Sequence, residues 1–314
     1  MNSKRWSWLA IVLIVIGVAG MAYQKFEFKS EDPYFERKWK LEALESLAVE
    51  SSYNMEVEFI DSPDGSNYIE LSGDLPQDTI DRLESASITG PDVDLDLTEK
   101  FKFSFLTIDF QSHKQHLTVA LADRGLLEQI SFKLGSNNGN LTGLRAKNIE
   151  LAANSGNLTV SSINAGQLAM KTTSGNLTAT DIVGNTEIRI GSGTIKVKNL
   201  KGDLAAHGSS GSISVDEAEG NMEASLNSGS IKVNGFTGNG MFKTTSGNVT
   251  LNGQRSDSLD ISVSSGNVTL DPDPGFKGIY DLKTSSGTVK SPESPMETKD
   301  IIKIRTTSGN IKVQ

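Results

Sequence analysis

Residues 192–233 carry one phrase three times: Ser-Gly-Thr-Ile-Lys-Val from Ser192, Ser-Gly-Ser-Ile-Ser-Val from Ser210 and Ser-Gly-Ser-Ile-Lys-Val from Ser228. A glycine in this setting stands at ten positions between residue 139 and the C-terminus, and nine of the ten follow a serine. By subtraction, the spacings are 17, 19, 18, 18, 18, 18, 19, 21 and 22 residues. A fixed period near 18 predicts a repeat architecture with these glycines as structural turns. The ten are Gly139, Gly156, Gly175, Gly193, Gly211, Gly229, Gly247, Gly266, Gly287 and Gly309.

Apolar residues alternate with polar ones on both sides of each glycine. Before Gly156 stand Ile149, Leu151 and Ala153, and after it come Leu158 and Val160. Such period-2 alternation is typical of a strand with one buried face. A second glycine follows nine or ten residues after several of the first, at Gly166, Gly184, Gly202, Gly220 and Gly238. Each repeat is therefore predicted to hold two short strands and two tight turns, where glycine and asparagine tolerate positive φ.

Two all-β folds fit such a repeat. In a parallel β-solenoid (β-helix), about ten coils of roughly 18 residues stack so that equivalent residues lie above each other. In an antiparallel meander, each Gly-Asn would instead be a hairpin turn. The solenoid is favoured, because serine and asparagine columns hydrogen-bond along a stack, whereas a meander does not need the same residue type at every second turn.

The repeated Ser-Gly-Asn-(Leu/Val)-Thr phrase, behind one N-terminal apolar segment, resembles the bacterial putative-adhesin family of LiaG-like and YvlB-like proteins, a β-strand-repeat family of unknown function. The resemblance covers residues from about 45 to 314. It implies a membrane-anchored protein associated with the cell-envelope stress response of Gram-positive bacteria. The family has no catalytic motif to transfer, so the resemblance implies a fold and a location more than an activity.

The N-terminus predicts membrane insertion. Lys4 and Arg5 precede an uncharged stretch, residues 6–24, which is just long enough to span a bilayer. We therefore expect a membrane anchor over residues 1–25, a single pass with its N-terminus in the cytoplasm and the remaining chain outside. The alternative is a signal peptide that is cleaved after Ala22, because Gly20-Met21-Ala22 places small residues at the cleavage positions.

Residues 31–50 are predicted to form a linker helix, because Asp32-Pro33 is a helix-start signal and the apolar residues that follow have near-helical spacing. Residues 51–135 show strand patterns without the repeat, so we expect them to cap the solenoid of residues 136–314. The chain stops at Gln314 within a strand. This C-terminal edge is predicted to be free for self-association, unless residues 272–278 or 292–300 cover it.

Net charge and the lack of cysteine argue against several classes of function. The 314 residues include 39 acidic and 30 basic side chains, a net charge of −9, which argues against a nucleic-acid partner. By count, residues 31–130 carry 22 acids and 8 bases, whereas residues 136–314 carry 16 acids and 17 bases. The excess acid therefore belongs to the N-terminal part. Cysteine is absent, which excludes disulfides, thiolate nucleophiles and cysteine-ligated metals.

Several residues are candidates for chemistry, and none predicts a catalytic, metal or cofactor site. Asp92, Asp94 and Asp96 resemble the start of a calcium loop, but they alternate with Val93, Leu95 and Leu97 as an amphipathic strand does. The histidines lack a third ligand, and the acids of the repeats resemble ordinary surface acids rather than a glycosidase pair. These residues are His113, His116, His207, Asp181, Asp216, Glu217 and Glu219.

The outward positions after the Ser-Gly turns form a candidate binding face of lysine, serine and threonine. The lysines are Lys196, Lys198, Lys232, Lys290 and Lys312. They could meet an anionic wall polymer or an acidic patch on a membrane sensor protein, or simply solvate a β surface. The sequence thus predicts a non-enzymatic envelope protein that acts by binding. The alternatives are a surface adhesin or wall-structural rod and, with less support, a carbohydrate-active β-helix enzyme.

Overall fold

The structure, a computed structural model, describes Val12 and residues 32–86, 88–99, 114–123, 125–255 and 258–314. The described chain is built almost entirely of parallel β-strands, with one helix, α1 (Gln77–Ser85). No helix within these ranges has the length and apolar character to cross a bilayer. The anchor predicted over residues 1–25 lies outside the described residues, apart from Val12.

The repeats form a parallel β-solenoid, which confirms the fold predicted from the sequence and excludes the meander. In each layer, the segment before the turn glycine is here called the first arm and the segment after it the second arm. Equivalent residues of successive layers pair in register, as Ile195 does with Ile213 and Ile213 with Ile231. The strands that supply the repeat layers, in chain order, are β7 (Leu127–Leu134), β8 (Gly139–Thr142), β9 (Arg145–Ala153), β10 (Leu158–Ser174), β11 (Leu177–Lys201), β12 (Leu204–Glu219), β13 (Met222–Thr237), β14 (Gly240–Ser246), β15 (Val249–Asn252), β16 (Ser258–Ser265), β17 (Val268–Leu270), β18 (Ile279–Ser286), β19 (Val289–Lys290), β20 (Ile301–Ser308) and β21 (Ile311–Val313).

Two more layers come from the region predicted to be only a cap. One consists of β2 (Ser46–Ser51) and β3 (Asn54–Asp61), and the other of β5 (Asp92–Leu97) and β6 (Lys114–Leu121). Strand β2 lies between β5 and β7, and β3 lies between β6 and β8. The later pair of strands therefore forms the outermost layer, and the earlier pair lies inside it. Ten repeat layers and these two make twelve.

The cap consists of α1 together with β4 (Asn67–Asp74) and β1 (Tyr34–Leu41), which extend the second-arm side by antiparallel pairing with β6. Thr79, Ile80 and Leu83 are the buried residues of α1. The linker helix predicted over residues 31–50 is wrong, because this segment forms β1 and β2. Its apolar residues Phe35, Trp39 and Leu41 all occupy odd positions, and pairing of β1 with β4 turns that face inward.

The order of layers is also exchanged at the C-terminal end. Strands β20 and β21 pair with β16 and β17 on one side and with β18 and β19 on the other. The prediction of a free edge at the C-terminal strand is therefore wrong, since β21 is paired on both sides and the outermost layer is β18–β19. Residues 271–278 carry the chain past the position of one layer, and residues 291–300 return it. This detour explains the last two long spacings.

The interior is a stack of apolar side chains with almost no exposure. Where the column holds the small residues Ala206 and Ala224, the next layer supplies Phe242, which packs edge-on against Phe236 with ring centroids 6.1 Å apart. Gly240 makes room for both rings, because a Cβ at this position would lie 2.5 Å from the Phe242 ring and 3.0 Å from the Phe236 ring. The volume of the core is thus balanced between neighbouring layers.

The turn glycines form a column of their own. At Gly175, Gly193, Gly211, Gly229, Gly247 and Gly266, φ lies between +127° and +145°, a region that residues with a Cβ rarely adopt. A Cβ at any of these positions would also collide with the carbonyl oxygen of the turn glycine in the preceding layer. Gly156 meets the same collision with the carbonyl of Asn137, which holds the turn position of its layer. The prediction that Gly139 is a turn glycine is therefore wrong, because Gly139 pairs with Leu158 and is buried at an inward position. Glycine recurs at this position because both the backbone angle and the stacking distance require it.

Candidate functional site

Four of the five lysines of the predicted face lie in one straight column on the second arms. Pairing between layers places Lys196 next to Ser214, Ser214 next to Lys232, and Lys232 next to Thr250. The column continues through Thr269 to Lys312 and then to Lys290. The lysines of this lysine column are exposed, because alternate residues of each arm, such as Ile195 and Val197, face the core. The members of the column are Lys196, Ser214, Lys232, Thr250, Thr269, Lys312 and Lys290.

Lys198 stands apart from the other four. It is exposed on the adjacent column, where its neighbour in the next layer is Asp216. The carboxylate of Asp216 accepts a hydrogen bond from the Nδ2 of Asn234. The Oδ1 of Asn234 in turn accepts one from the Nδ2 of Asn252 at 2.9 Å. Because an amide ladder already binds this carboxylate, Lys198 adds a positive charge at the border of the lysine column.

The lysine column contains no acid, and among the described residues none of its lysines forms an ion pair or a side-chain hydrogen bond. The first arms also have an outward column without acids, but the outward column beside it holds acids that pair with two of its cations, Arg189 and Arg305. Lys133 binds Glu50 at 2.7 Å, Lys147 binds Glu128 at 2.6 Å and Lys303 binds Asp260 at 2.8 Å. Hydrogen bonding to Glu50 raises the pKa of Lys133. The first-arm face therefore mixes charges of both signs, whereas the lysines of the lysine column have no acid partner within the described residues.

Spacing along the lysine column follows from the layers, which are about 4.8 Å apart in parallel sheets. Lys196 and Lys232 are two layers apart, or about 10 Å, and Lys312 and Lys290 are in adjacent layers. Two like charges at roughly 5 Å repel by about 1 kcal/mol in water. A bound anion between Lys312 and Lys290 would reverse the sign of this interaction. The arrangement can therefore hold a row of negative charges.

A polar groove of about 650 Å³ runs along the corner after the second arms. At this corner, one residue in each of several successive layers has a left-handed backbone conformation. The groove arises where this residue is Glu217 (φ +57°) in one layer and glycine in the next two, Gly235 (φ +65°) and Gly253 (φ +57°). The two glycines lack side chains, and the carboxylate of Glu217 lies over Gly235. Glu219, Lys201 and Arg255 also line the groove. The sequence reasoning missed this feature. Alignment of the left-handed turn positions would have shown two successive glycines there.

The acids considered for glycosidase chemistry have structural partners or lie apart. Asp181 accepts a hydrogen bond from Asn199 at 2.7 Å, and Asp216 accepts one from Asn234. Asp181 and Glu217 occupy equivalent turn positions two layers apart. Glu217 and Glu219 both line the groove, which has no aromatic side chain in its lining. This arrangement does not resemble a sugar-stacking cleft.

The calcium and histidine candidates also have ordinary surroundings. Strand β5 has Asp92, Asp94 and Asp96 on its exposed face, and its alternating pattern is that of the predicted amphipathic strand. His116 contacts Glu56 at 3.1 Å, and His207 shares a hydrogen bond with Ser225 at 2.7 Å. His113 lies outside the described residues. Within the part of the chain that is described, no three potential metal ligands cluster together.

Asparagines one position after the turn residue (Asn137 in one layer, glycine in the others) form two ladders. Asn157 accepts a hydrogen bond from the backbone N–H of Asn176 at 3.0 Å, and Asn138 accepts one from Asn157 at 2.9 Å. The second ladder runs through Asn248, Asn267 and Asn310. Threonine or serine interrupts the asparagines in the layers that carry Lys196 and Lys232. The ladders therefore stabilise the stack, and the second ladder lies in the same layers as Thr250, Thr269 and Lys312 of the lysine column.

Comparison with known proteins identifies the family. The model of the Toastrack DUF4097 family matches residues 44–227 and 218–314. A "putative adhesin" from Bacteroides fragilis has 15% sequence identity and a TM-score of 0.32, with 72% of this chain and 96% of that chain covered. A "putative cell adhesion protein" from Clostridium sporogenes has 10% identity and a TM-score of 0.25, with 90% and 99% covered. Among curated proteins there is no match. Because the family model spans most of its length, the chain belongs to the Toastrack DUF4097 family.

Proposed function

We propose that this chain is a non-enzymatic, membrane-anchored binding protein of the cell envelope, and that its lysine column holds an anionic partner outside the cytoplasm. One observation carries the proposal: Lys196, Lys232, Lys312 and Lys290 share a column that contains no acid. Cations that only solvate a β surface are usually accompanied by acids, as on the first arms, where the outward column beside the cations holds Glu187, Asp260 and Asp281. An unbalanced row of charge attracts a ligand of opposite sign.

The chemistry of the column fits a linear polyanion such as a phosphodiester polymer of the wall. Lysine ammonium groups bind phosphate oxygens as point charges, and the serine and threonine hydroxyls between them can donate hydrogen bonds. From Lys196 to Lys290 the column crosses six layer spacings, or about 29 Å. A flexible chain of regularly spaced negative charges can follow this length. A compact ligand would leave most of the column unoccupied.

The test compares two variants that remove the same charge from opposite faces. In the first, Lys196, Lys232 and Lys312 are replaced by serine, a residue that the column already contains at position 214. In the control, Lys171, Lys243 and Lys283 on the first arms are replaced by serine. Co-sedimentation of the full chain with purified cell walls, with and without their phosphodiester polymer, measures binding at several salt concentrations.

We expect binding to need the polymer and to weaken as salt increases, because exposed charges are screened. Loss of three lysines from the column should weaken binding by about tenfold or more, since each lost contact is worth roughly 0.5 kcal/mol or more. The first-arm variant should bind within about twofold of the unmodified chain. Equal loss in both variants would show that net charge alone decides binding and would refute the role of the column.

The identity of the partner separates two versions of the proposal. In the first, which follows the resemblance to LiaG, the column meets an acidic patch on a membrane sensor in the envelope stress response. In the second, the chain is an adhesin or wall-structural rod. Photoreactive residues at positions 196, 232 and 269 in intact cells would distinguish them. Adducts with a membrane protein support the first version, and adducts only with wall polymer support the second.

A further inference from the structure

The outermost C-terminal layer leaves its apolar side chains uncovered. Tyr280 and Leu282 occupy the positions above Ile302 and Ile304 but are only partly buried, whereas those two isoleucines are fully buried. Val289 is 41% exposed, and Ile311 beneath it is 1% exposed. Phe276 covers one side of Tyr280, with ring centroids 5.0 Å apart. The rest of this last layer faces outward.

The opposite end of the solenoid is covered. There, β6 is paired with β4, and β4 with β1, while α1 buries Ile80 and Leu83. At the C-terminal end, β18 pairs with β20 on one side, and within the described residues no strand lies on its other side. An exposed parallel edge with apolar side chains is a template for pairing with another strand. The two ends therefore differ in their capacity to bind.

The backbone of β18 shows which residues can pair outward. The N–H of Ile279 bonds to the carbonyl of Asp300, so Ile279, Asp281 and Lys283 direct their backbone groups toward β20. By alternation, Tyr280, Leu282 and Thr284 direct theirs to the open side. The hydroxyl of Ser294 accepts the N–H of Tyr280 at 2.9 Å. The open part of the edge is therefore centred on Leu282.

The charges of β18 select one partner and one register. In an antiparallel pair of two copies centred on Leu282, Asp281, which also pairs with Arg305 of its own copy, lies opposite Lys283 of the second copy, and Lys283 lies opposite Asp281. A shift by two residues in one direction would place Lys283 opposite Lys283, and a shift in the other direction would place Asp281 opposite Asp281. Like charges directly opposite each other are destabilising, and opposite charges are favourable. Only the central register is self-complementary.

We propose that two copies of this chain join end to end by antiparallel pairing of their β18 strands, with Leu282 opposite Leu282 of the second copy. Tyr280, Leu282 and Thr284, whose backbone groups point to the open side, then form the hydrogen-bonded pairs. Asp281 and Lys283 form the non-hydrogen-bonded pairs, whose Cα atoms are closer together. Tyr280 of one copy meets Thr284 of the other when Ser294 releases the Tyr280 N–H. The uncovered apolar layers of the two copies meet on the same side of the continuous sheet.

This pairing fixes the shape of the dimer. Because the strands run across the rod, the two solenoids become collinear, and their N-terminal caps lie at opposite ends. Twelve layers at about 4.8 Å make each solenoid roughly 55 Å long, so the dimer is about twice that length. A side-by-side dimer would keep the length of one copy. The proposal goes beyond the proposed function and does not depend on the lysine column.

The experiment uses the absence of cysteine from the chain. In the full-length chain, Leu282→Cys places one thiol on the two-fold axis. Hydrogen-bonded antiparallel residues have Cα atoms about 5.5 Å apart, within the range of a disulfide. Met241→Cys, which is exposed on a first arm three layers from β18, is the control for random collision. Mild oxidation followed by non-reducing electrophoresis measures the dimer, and negative-stain microscopy measures particle length.

We expect Leu282→Cys to form a dimer of about twice the length and Met241→Cys to remain monomeric. Adding Lys283→Asp should reduce the dimer by about tenfold, because the introduced aspartate then stands opposite Asp281 of the second copy. Within one copy the introduced aspartate stands beside Arg305, which already pairs with Asp281, so thermal unfolding of each charge variant checks that the last layer remains folded. Adding Asp281→Lys to that variant should restore the dimer, because the exchanged charges are again complementary.

Three outcomes would overturn the proposal. The first is no disulfide dimer with Leu282→Cys. The second is a dimer whose yield is the same with Lys283→Asp, because charge would then not select the register. The third is cross-linking of the thiol introduced by Leu282→Cys to a different protein while self-dimers are absent, which would assign the open edge to another partner. Dimers whose particles keep the length of one copy would also overturn the proposal, because they would be side-by-side dimers.

Discussion

Replacement of Gly211 by alanine tests the reason for the glycine column. Gly211 has φ +127°, in a region that is essentially restricted to glycine, and holding alanine there costs about 1–3 kcal/mol. Its Cβ would lie 1.7 Å from the carbonyl oxygen of Gly193 in the preceding layer. That carbonyl is backbone and is fixed by pairing between layers, so relief of the collision requires the two layers to separate locally. Including lost interlayer hydrogen bonds of about 1 kcal/mol each, we expect a destabilisation of about 3–5 kcal/mol.

Two control glycines separate the contributions. Gly65 has φ +73°, but a Cβ there meets nothing within 4 Å, so Gly65→Ala tests backbone strain without a collision. Gly90 has neither the positive φ nor a neighbour within 4 Å, so Gly90→Ala tests the substitution alone. We expect a loss of about 1 kcal/mol for Gly65→Ala and a change within about 0.5 kcal/mol for Gly90→Ala.

Urea unfolding followed by circular dichroism, with hydrogen exchange of the layers around residue 211, measures these effects. Hydrogen exchange is needed because repeat proteins open locally and not always as one unit. The expected order of stability loss is Gly211→Ala, then Gly65→Ala, then Gly90→Ala. If the free energy of unfolding of Gly211→Ala lies within about 1 kcal/mol of that of the unmodified chain, the layers must tolerate side chains at the turn, and the argument from stacking distance is refuted.

Two further predictions concern the core and an ion pair. Phe242→Ala should cost about 3–5 kcal/mol, because a fully buried ring beside Phe236 is removed, whereas Met241→Ala at the exposed neighbouring position should change urea stability by less than about 0.5 kcal/mol; similar losses for both would contradict the packing. Hydrogen bonding from Lys114 lowers the pKa of Glu56, so the pair stabilises the fold above the ordinary glutamate range near 4.5, and this contribution disappears as pH falls through the lowered pKa. The difference in stability between the unmodified chain and Glu56→Gln, about 0.5 kcal/mol for so exposed a pair, should be present near pH 8 and vanish in acid. A difference that grows as pH falls below 4.5 would have the wrong sign.

Much of the repeat region was predictable because its physical requirements recur. One turn angle, one inward column and one stacking distance apply to every layer, so Gly193, Gly211 and Gly229 repeat with the same period as the layers. The parallel direction also followed, since identical residues at identical offsets are most useful when they stack. The alternation of Asp92 to Leu97 was sufficient to predict a strand.

The N-terminal segment shows where the pattern was ambiguous. Phe35, Trp39 and Leu41 fit a strand by their odd positions, while the longer set that includes Leu44 and Leu47 also approximates helical spacing. Pairing with β4, whose residues stand 26 to 40 positions later in the chain than their partners in β1, selects the strand. Local sequence does not record such a distant partner. The helix α1 was missed for a related reason, because its few apolar residues become a pattern only against the end of the solenoid.

The site was predictable as a set of residues and not as a surface. Offsets from the turn glycines identified all five lysines and already separate Lys198, at offset five, from the other four at offset three. Whether an acid stands next to one of these lysines in the adjacent layer depends on which layers are neighbours. Similarly, the corner groove at Gly235 and Gly253 depends on two glycines that lie in successive layers.

The sequence by itself determined the repeat, the direction of its strands and the glycine column, because these depend on short-range geometry that every layer shares. Only the tertiary structure decided the order of layers at the two ends. A strand pairs equally well with either neighbour in sequence, and the period does not distinguish them. Long connections allow β5–β6 and β18–β19 to take the outermost positions. This exchange places the C-terminal strand between two other layers and leaves β18 as the open edge. It is possible because residues 271–278 and 291–300 are long enough to pass the position of one layer.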